Sequence, residues 1–320
     1  MKRKICVIGG GRWGQNHIRT LFHMGNLAGI VEVNQQRLNE LLKQYPVKGF
    51  TELDYAIQQS FDGYILATPA ETHYPVGRKL LEQGLNVLIE KPMTLSSKHS
   101  KELIEIAEQK KARLMVGHLL LFHPAIKKIK EVIDSGKIGQ LYYVYSTRLN
   151  LGTVRTEENV FWSFAPHDIS ILDYFIGQPT IKIEAKGAKF LQDKIYDVTM
   201  TQFVYSGNIH AHIFVSWLHP FKEQRLVVVG SHGMISFDDS SLDKNILYYN
   251  KHIDWVEGKP VKVEQPDEII PYEKGMMPLT EELKYFVENL DKTIEIASGI
   301  TGHEVVKVLE TVQELICKNE

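Results

Sequence analysis

The chain opens on short apolar runs that alternate with segments of helical spacing. Residues 4–8 form an apolar run rich in β-branched side chains, stopped by Gly9-Gly10-Gly11. Residues 16–24 then place Ile18, Leu21 and Phe22 on one helical face. Further apolar runs at 27–33, 63–67, 86–89 and 113–116 predict strands. Segments 36–44, 74–83 and 97–109 predict the intervening helices, the first with a Leu38, Leu41 and Leu42 stripe. Strands alternating with helices predict a parallel sheet covered on both faces. The ligand edge of such a sheet lies at the carboxyl ends of its strands.

After residue 120 the pattern changes. A helix at 125–133 and a turn at 135–139 lead into long strand candidates at 141–149, 181–190, 198–205, 209–218 and 225–229. Ile209, Ala211, Ile213, Val215 and Trp217 alternate with His210, His212 and Ser216, the period of a half-buried antiparallel strand. Phe214 interrupts the polar face. Helices at 280–289 and 301–318 close the chain, the last of them expected near the first domain. The predicted class is α/β: a parallel-sheet domain over 1–120, then an α/β domain with a large, mostly antiparallel sheet over 121–320.

Composition narrows the function classes. Of 320 residues, 43% are hydrophobic and 24% charged, which excludes a disordered, collagen-like or disulfide-scaffold chain. Thirty-seven Lys+Arg against 39 Asp+Glu leave a net charge of −2, so bulk attraction to nucleic acid or an anionic membrane is absent. The two cysteines, Cys6 and Cys317, form no C-x-x-C pair, and Cys6 sits in an apolar run, which suits a reducing compartment. No apolar run approaches the ~18 residues of a membrane span, and the first is too short for a signal-peptide core. A cytoplasmic location is expected.

Gly9-x-Gly11-x-x-Gly14 follows a strand and opens a helix. In that context the first glycine permits a tight turn, the second a close pyrophosphate, and the third close helix packing. Arg12 and Trp13 lie inside the turn, and the helix N-terminus offers free N–H groups to phosphate. Glu32 ends the second strand, where a carboxylate accepts from a ribose diol and repels a 2′-phosphate. NAD is therefore the expected cofactor; Arg12 and Arg37 leave room for NADP. Thr68-Pro69 and Glu90-Lys91-Pro92 end later strands and fall on the same edge, with His73 just beyond the first pair. Lys91 could donate to a reacting oxygen and stabilise an alkoxide, or be a loop lysine. A cis bond before Pro92 would fix that turn. His118, after the fifth strand, is placed near the nicotinamide or packs in the core. His210-x-His212 has metal-ligand spacing without a third ligand, so no metal is predicted. Gly-x-Ser-x-Gly and Walker sequences are absent, which disfavours hydrolase and triphosphatase readings.

Gly9-Gly10-Gly11-Arg12-Trp13-Gly14, Ala67-Thr68-Pro69, Glu90-Lys91-Pro92 and Ser135-Gly136-Lys137-Ile138-Gly139, in that order, resemble the glucose–fructose oxidoreductase / inositol dehydrogenase (Gfo/Idh/MocA) family. The resemblance covers nearly the whole chain. It implies a Rossmann domain, a second domain with a large open sheet, and nicotinamide-dependent oxidation of a sugar or polyol, with Lys91 as the active-site lysine. The family histidine falls on His167. Two family aspartates become Ser163 and Ser170, leaving His167, alone or with Asp168, to take the hydroxyl proton. A histidine's ordinary pKa suits that task.

The stretch from Thr147 to Trp162 is similar to a subgroup acting as 3-dehydrogenases on UDP-N-acetylhexosamines or their uronates. This implies oxidation at C3 of a UDP-N-acetylated sugar, UDP-N-acetylglucosamine before its uronate. Arg148 and Arg155 could pair with the diphosphate, Asn150 and Asn159 could read polar sugar groups, and Trp162 could stack. Each also has an ordinary structural alternative. The 3-keto product would suit a downstream aminotransferase, and the family implies a homodimer or homotetramer. A dehydrogenase of a free polyol such as inositol, and a non-catalytic NAD-binding regulator, remain as alternatives.

Overall fold

In the computed structural model, residues 2–318 are described. The chain runs β1 (Ile5–Ile8), α1 (Arg12–Met24), β2 (Leu27–Val31), α2 (Gln35–Gln44), β3 (Lys48–Phe50), α3 (Leu53–Ile57), β4 (Gly63–Leu66), α4 (His73–Glu82), β5 (Val87–Glu90), α5 (Ser97–Lys110) and β6 (Leu114–Gly117). A 3-10 turn (Leu119–Phe122) follows. Next come α6 (Pro124–Asp134), β7 (Leu141–Leu149), α7 (Val160–Ile176), β8 (Thr180–Ala188), β9 (Val198–Tyr205), β10 (Ile209–Ser216), β11 (Glu223–Gly230) and β12 (Met234–Asp238). The short strands β13 (Ile246–Tyr249), β14 (Lys251–Val256), β15 (Lys259–Glu264) and β16 (Glu268–Ile270) precede α8 (Pro278–Glu288) and α9 (Gly299–Lys318).

The chain divides into two compact units. Among the described residues, 2–122 and 276–307 form one; 123–275 and 308–318 form the other. The expected continuous second domain over 121–320 therefore gives up 276–307, which carries α8, to the first unit. The reason is packing: α8 lies on α1 and the 3-10 turn and buries Leu283 and Phe286, the latter ring beside Gly63 of β4.

The first unit is built on a six-stranded parallel sheet in the order β3-β2-β1-β4-β5-β6. The order reverses between β1 and β4, and a dinucleotide crevice lies outside the carboxyl ends at such a point. β1, β4, β5 and β6 are buried along their whole length, as strands covered on both faces must be. Neither β3 nor α3 is foreseen by the periodicity.

The second unit holds an eight-stranded sheet in the order β16-β13-β12-β11-β7-β10-β9-β8, antiparallel except for the β7–β10 pair. α7 packs on β7, β9 and β10. It too is unforeseen. Seventeen residues long, it buries twelve of them and contains Pro166, so it shows no amphipathic stripe. Asn159 caps its start by accepting from the amides of Phe161 and Trp162, and Gly177 closes it in the left-handed region. β14 and β15 form a separate exposed hairpin.

Candidate active site

The glycine turn is shaped by what its missing side chains would strike. Gly9 has φ +99°, and a Cβ there would come within 2.6 Å of the Ala67 carbonyl oxygen. A Cβ on Gly14 would reach 1.9 Å from the Gly9 oxygen, so this glycine lets α1 start directly against the turn. At Gly11 a Cβ meets nothing within 4 Å. That open position, beside a helix start with no side-chain cap, fits a pyrophosphate approaching the backbone. Arg12 and Trp13 are exposed there.

Glu32 is buried with its carboxylate held in place. Oε2 accepts from the Gly10 amide at 2.8 Å and Oε1 from the Asn34 amide at 2.9 Å. Arg37 Nη1 lies 3.4 Å from Oε2. Gly10, outside the fingerprint, is a residue that motif reasoning passes over: a Cβ there would lie 2.6 Å from Leu41 and 2.9 Å from Glu32. Replacing Glu32 by alanine removes the acceptor and the charge facing a 2′-phosphate. The NAD-to-NADP ratio of kcat/KM is expected to fall about tenfold or more, since each 1.4 kcal/mol is tenfold. Kinetics with both cofactors check this; an unchanged ratio would contradict the ribose role.

Thr68 and Pro69 sit at the carboxyl end of β4, where Thr68 Oγ1 is 2.5 Å from Thr72 Oγ1. His73 does other work than the expected cofactor contact. It is buried, with Nδ1 2.8 Å from the Pro92 oxygen and Nε2 2.9 Å from the Thr68 oxygen, and so joins two loops of the sheet edge. Burial pulls its pKa down despite those carbonyl contacts.

Lys91 follows β5 and precedes a cis peptide bond to Pro92. Glu90, expected at the cofactor, instead points into the unit. Its Oε1 accepts from His17 Nε2 at 2.6 Å and from Trp13 Nε1, and its Oε2 accepts from the Lys91 amide at 3.1 Å. The turn that places Lys91 is thereby tied to the first turns of α1. Gly117 makes room, because a Cβ on it would lie 2.8 Å from Glu90 Oε2. Burial alone would raise the Glu90 pKa; the hydrogen bonds from His17 and Trp13 and the Lys91 charge together hold it below the ordinary carboxylate range. His118 is buried, and neither ring nitrogen has a hydrogen-bond partner among the described residues. Burial, opposed in part by the Glu90 charge, depresses its pKa to about 4. His118 is therefore a buried, neutral imidazole at the carboxyl end of β6.

In the second unit, α7 carries His167, Asp168, Ser163 and Ser170. Asp168 is committed elsewhere: it accepts from Arg148 Nε at 2.9 Å, Arg148 Nη2 at 3.0 Å and Ser146 Oγ at 2.6 Å. Two readings change together. Asp168 does not serve His167, and Arg148 spends its fork on Asp168 rather than on a diphosphate. Burial lowers the Arg148 pKa, but the Asp168 carboxylate more than restores it. Ser170 Oγ donates to the His167 carbonyl at 2.8 Å and stays in its helix. Asn159 is likewise used up, with its oxygen on the cap and its Nδ2 on Gln313, so it is no sugar reader. Trp162 is half-buried near the same helix start, Asn150 is half-buried after β7, and Arg155 is exposed in the segment between β7 and α7. The paired histidines of β10 part company, with His212 stacked on Tyr145 at 5.0 Å and His210 beside Asn208.

A dinucleotide-binding sheet with a lysine at its carboxyl edge, followed by an open-sheet domain, defines a nicotinamide-dependent oxidoreductase. The family models agree. The oxidoreductase family with an NAD-binding Rossmann fold, GFO/IDH/MocA, matches residues 3–118, and the GFO/IDH/MocA C-terminal domain matches residues 126–236. The chain belongs to the GFO/IDH/MocA family. It is 25% identical over 257 residues to a UDP-N-acetylglucosamine 3-dehydrogenase of Acidithiobacillus ferrooxidans, covering 79% of each chain. It is 27% identical over 195 residues to an inositol 2-dehydrogenase of Corynebacterium glutamicum, covering 58% of each. The solved structure of UDP-N-acetylglucosamine 3-dehydrogenase GnnA from Acidithiobacillus ferrooxidans superposes with TM-score 0.87 at 22% identity, over 99% of this chain and 98% of that one. The WlbA dehydrogenase of Bordetella pertussis, solved with NADH and UDP-GlcNAcA, gives TM-score 0.81 at 18% identity over 100% and 98%. At these identities the two structures establish a shared fold. Among the described residues, no helix is long and apolar enough to cross a membrane.

Proposed function

We propose that the protein oxidises the C3 hydroxyl of UDP-N-acetylglucosamine to the 3-ketone, with NAD as hydride acceptor. The observation that carries the oxidoreductase chemistry is Lys91, held by its own amide on buried Glu90 at the carboxyl edge of a dinucleotide sheet. The choice of sugar is supported by similarity to the Acidithiobacillus 3-dehydrogenase over most of both chains.

The glycine turn and the start of α1 would hold the pyrophosphate, and Glu32 the adenosine ribose. Bound there, NAD supplies an electrophilic nicotinamide carbon. The Lys91 ammonium donates to the substrate hydroxyl oxygen and stabilises the negative charge that grows on it as the C–H bond breaks. His167 takes the hydroxyl proton. Asp168, locked to Arg148, is not its orienting partner, and serines stand at 163 and 170. In sum, a secondary alcohol and NAD give a ketone, NADH and one proton. Arg155, exposed and without the buried commitment of Arg148, is the better candidate for the diphosphate or for a uronate carboxylate. The ketone invites an amine-transferring enzyme as the next step.

NADH formation should be followed with UDP-N-acetylglucosamine, its uronate, free N-acetylglucosamine and inositol, with an amine-donor-dependent aminotransferase added to remove ketone. Turnover is expected with UDP-N-acetylglucosamine above the rest. Turnover of inositol alone would replace this reading with the polyol one. NADH binding without turnover of any member would favour a regulator.

A further inference from the structure

The nucleotide unit contains a second buried carboxyl group that the proposed reaction leaves unused. Glu282, on α8, has 0% exposure, and neither carboxyl oxygen has a hydrogen-bond partner among the described residues. α8 packs on α1 and on the 3-10 turn after His118. The titratable and charged groups that the surrounding elements bring to this region are His17 from α1, His118 ahead of the turn, and Glu90 and Lys91 at the end of β5. The Glu90 charge acts on both Glu282 and His118. His17 Nδ1, like both nitrogens of His118, has no partner among the described residues.

Two carboxyl groups in one buried cluster do not both ionise, because like charges in a poorly solvated site repel strongly. Hydrogen bonding decides which one carries the charge. Glu90 accepts from three N–H donors, and Glu282 from none. An anion with no donor in the interior is the costlier choice. Burial first, and the Glu90 charge second, push the Glu282 pKa well above the ordinary range.

We propose that Glu282 is a positioning residue for Lys91: it stays protonated, so the Glu90–Glu282 pair carries a single negative charge, committed to the Lys91 turn and the first turns of α1. A second anion there would repel the Glu90 charge that anchors the Lys91 turn and oppose a pyrophosphate at the start of α1. The role toward Lys91 rests on the reaction proposed above; the proton on Glu282 does not.

The sign of the pH dependence follows. The Glu282 pKa is higher in the folded chain than in the unfolded one. Its stabilising contribution is complete below the ordinary carboxylate range and is lost as pH rises toward the folded value. Glutamine has the same shape and no proton to lose, so Glu282→Gln should remove that loss of stability.

The test uses the full-length wild-type protein and Glu282→Gln. Infrared difference spectra in heavy water at neutral pH are expected to show a carboxylic-acid C=O band in the wild type that the variant lacks. NADH affinity, titrated against pH by fluorescence, should fall on the alkaline side in the wild type, with that limb moved to higher pH in the variant. The kcat–pH profile with whichever sugar is turned over should move likewise. Absence of the acid band, or coincident alkaline limbs, would overturn the proposal. So would failure of the glutamine variant to fold, since a neutral amide of equal size should fill the place of a neutral acid. If the UDP-sugar is not a substrate, the spectrum and the NADH titration still decide the state of Glu282.

Discussion

Replacing Lys91 by methionine is expected to lower kcat by about 10³-fold while NAD binding changes little. Methionine keeps the length and the apolar stem of the side chain but not its charge. The Glu90 acceptor bonds to the Lys91 amide, not to the ammonium, so the turn keeps its backbone anchor. The glycine turn and Glu32, proposed to hold the adenosine end of the cofactor, are not touched by the change. What is removed is charge stabilisation at the reacting oxygen, felt only as the alkoxide develops, so kcat and kcat/KM should fall together. Steady-state kinetics with an NADH titration separate the two effects. Full turnover in the variant would take Lys91 out of the mechanism.

The second large effect separates two glycines of one motif. Gly14→Ala forces a Cβ to 1.9 Å from the Gly9 carbonyl oxygen, a backbone clash that side-chain rotation cannot relieve. It should cost roughly 3 kcal/mol of stability and disorganise the turn, with NAD affinity lost as a consequence. Gly11→Ala strikes no protein atom within 4 Å and keeps φ at −69°, which alanine adopts freely. It should unfold like the wild type yet lose NAD affinity, because its methyl group occupies the space the pyrophosphate needs. Thermal unfolding and NADH titration on the two variants decide the point. Equal melting temperatures for both would mean that the turn gives way where it looks rigid.

How much of this was readable beforehand follows from the range of the interactions involved. The main strands of the nucleotide unit are apolar runs of four or five residues and its main helices are periodic segments of ten or more, set between local stops, and they read directly. β3 and α3, three and five residues long, end before their period can repeat twice and leave no such trace. α7 fails for the opposite reason, being buried on so many sides that no stripe survives. The site divides the same way. Glu32 and Lys91 owe their proposed roles to position just after or at strand ends, so topology exposes them. Arg148 reads as a free cation until Asp168, twenty residues later, is folded against it. His17 meets Glu90 from α1, while Glu282 feels the Glu90 charge from a segment that rejoins the first unit almost two hundred residues later, and no local signal marks either.

The two amides that Glu32 holds bear on redesign of cofactor choice. Gly10 and Asn34 both donate to this carboxylate. A side chain chosen only to welcome a 2′-phosphate would strand both donors, at about 1–3 kcal/mol for the buried Gly10 amide and less for the part-buried Asn34 one. The residue proposed to discriminate between the cofactors is also the clasp closing β2 onto the glycine turn. Substitutions that exchange charge while keeping an oxygen in place, asparagine or serine among them, are the economical route to NADP, whereas alanine trades stability for the same relaxation.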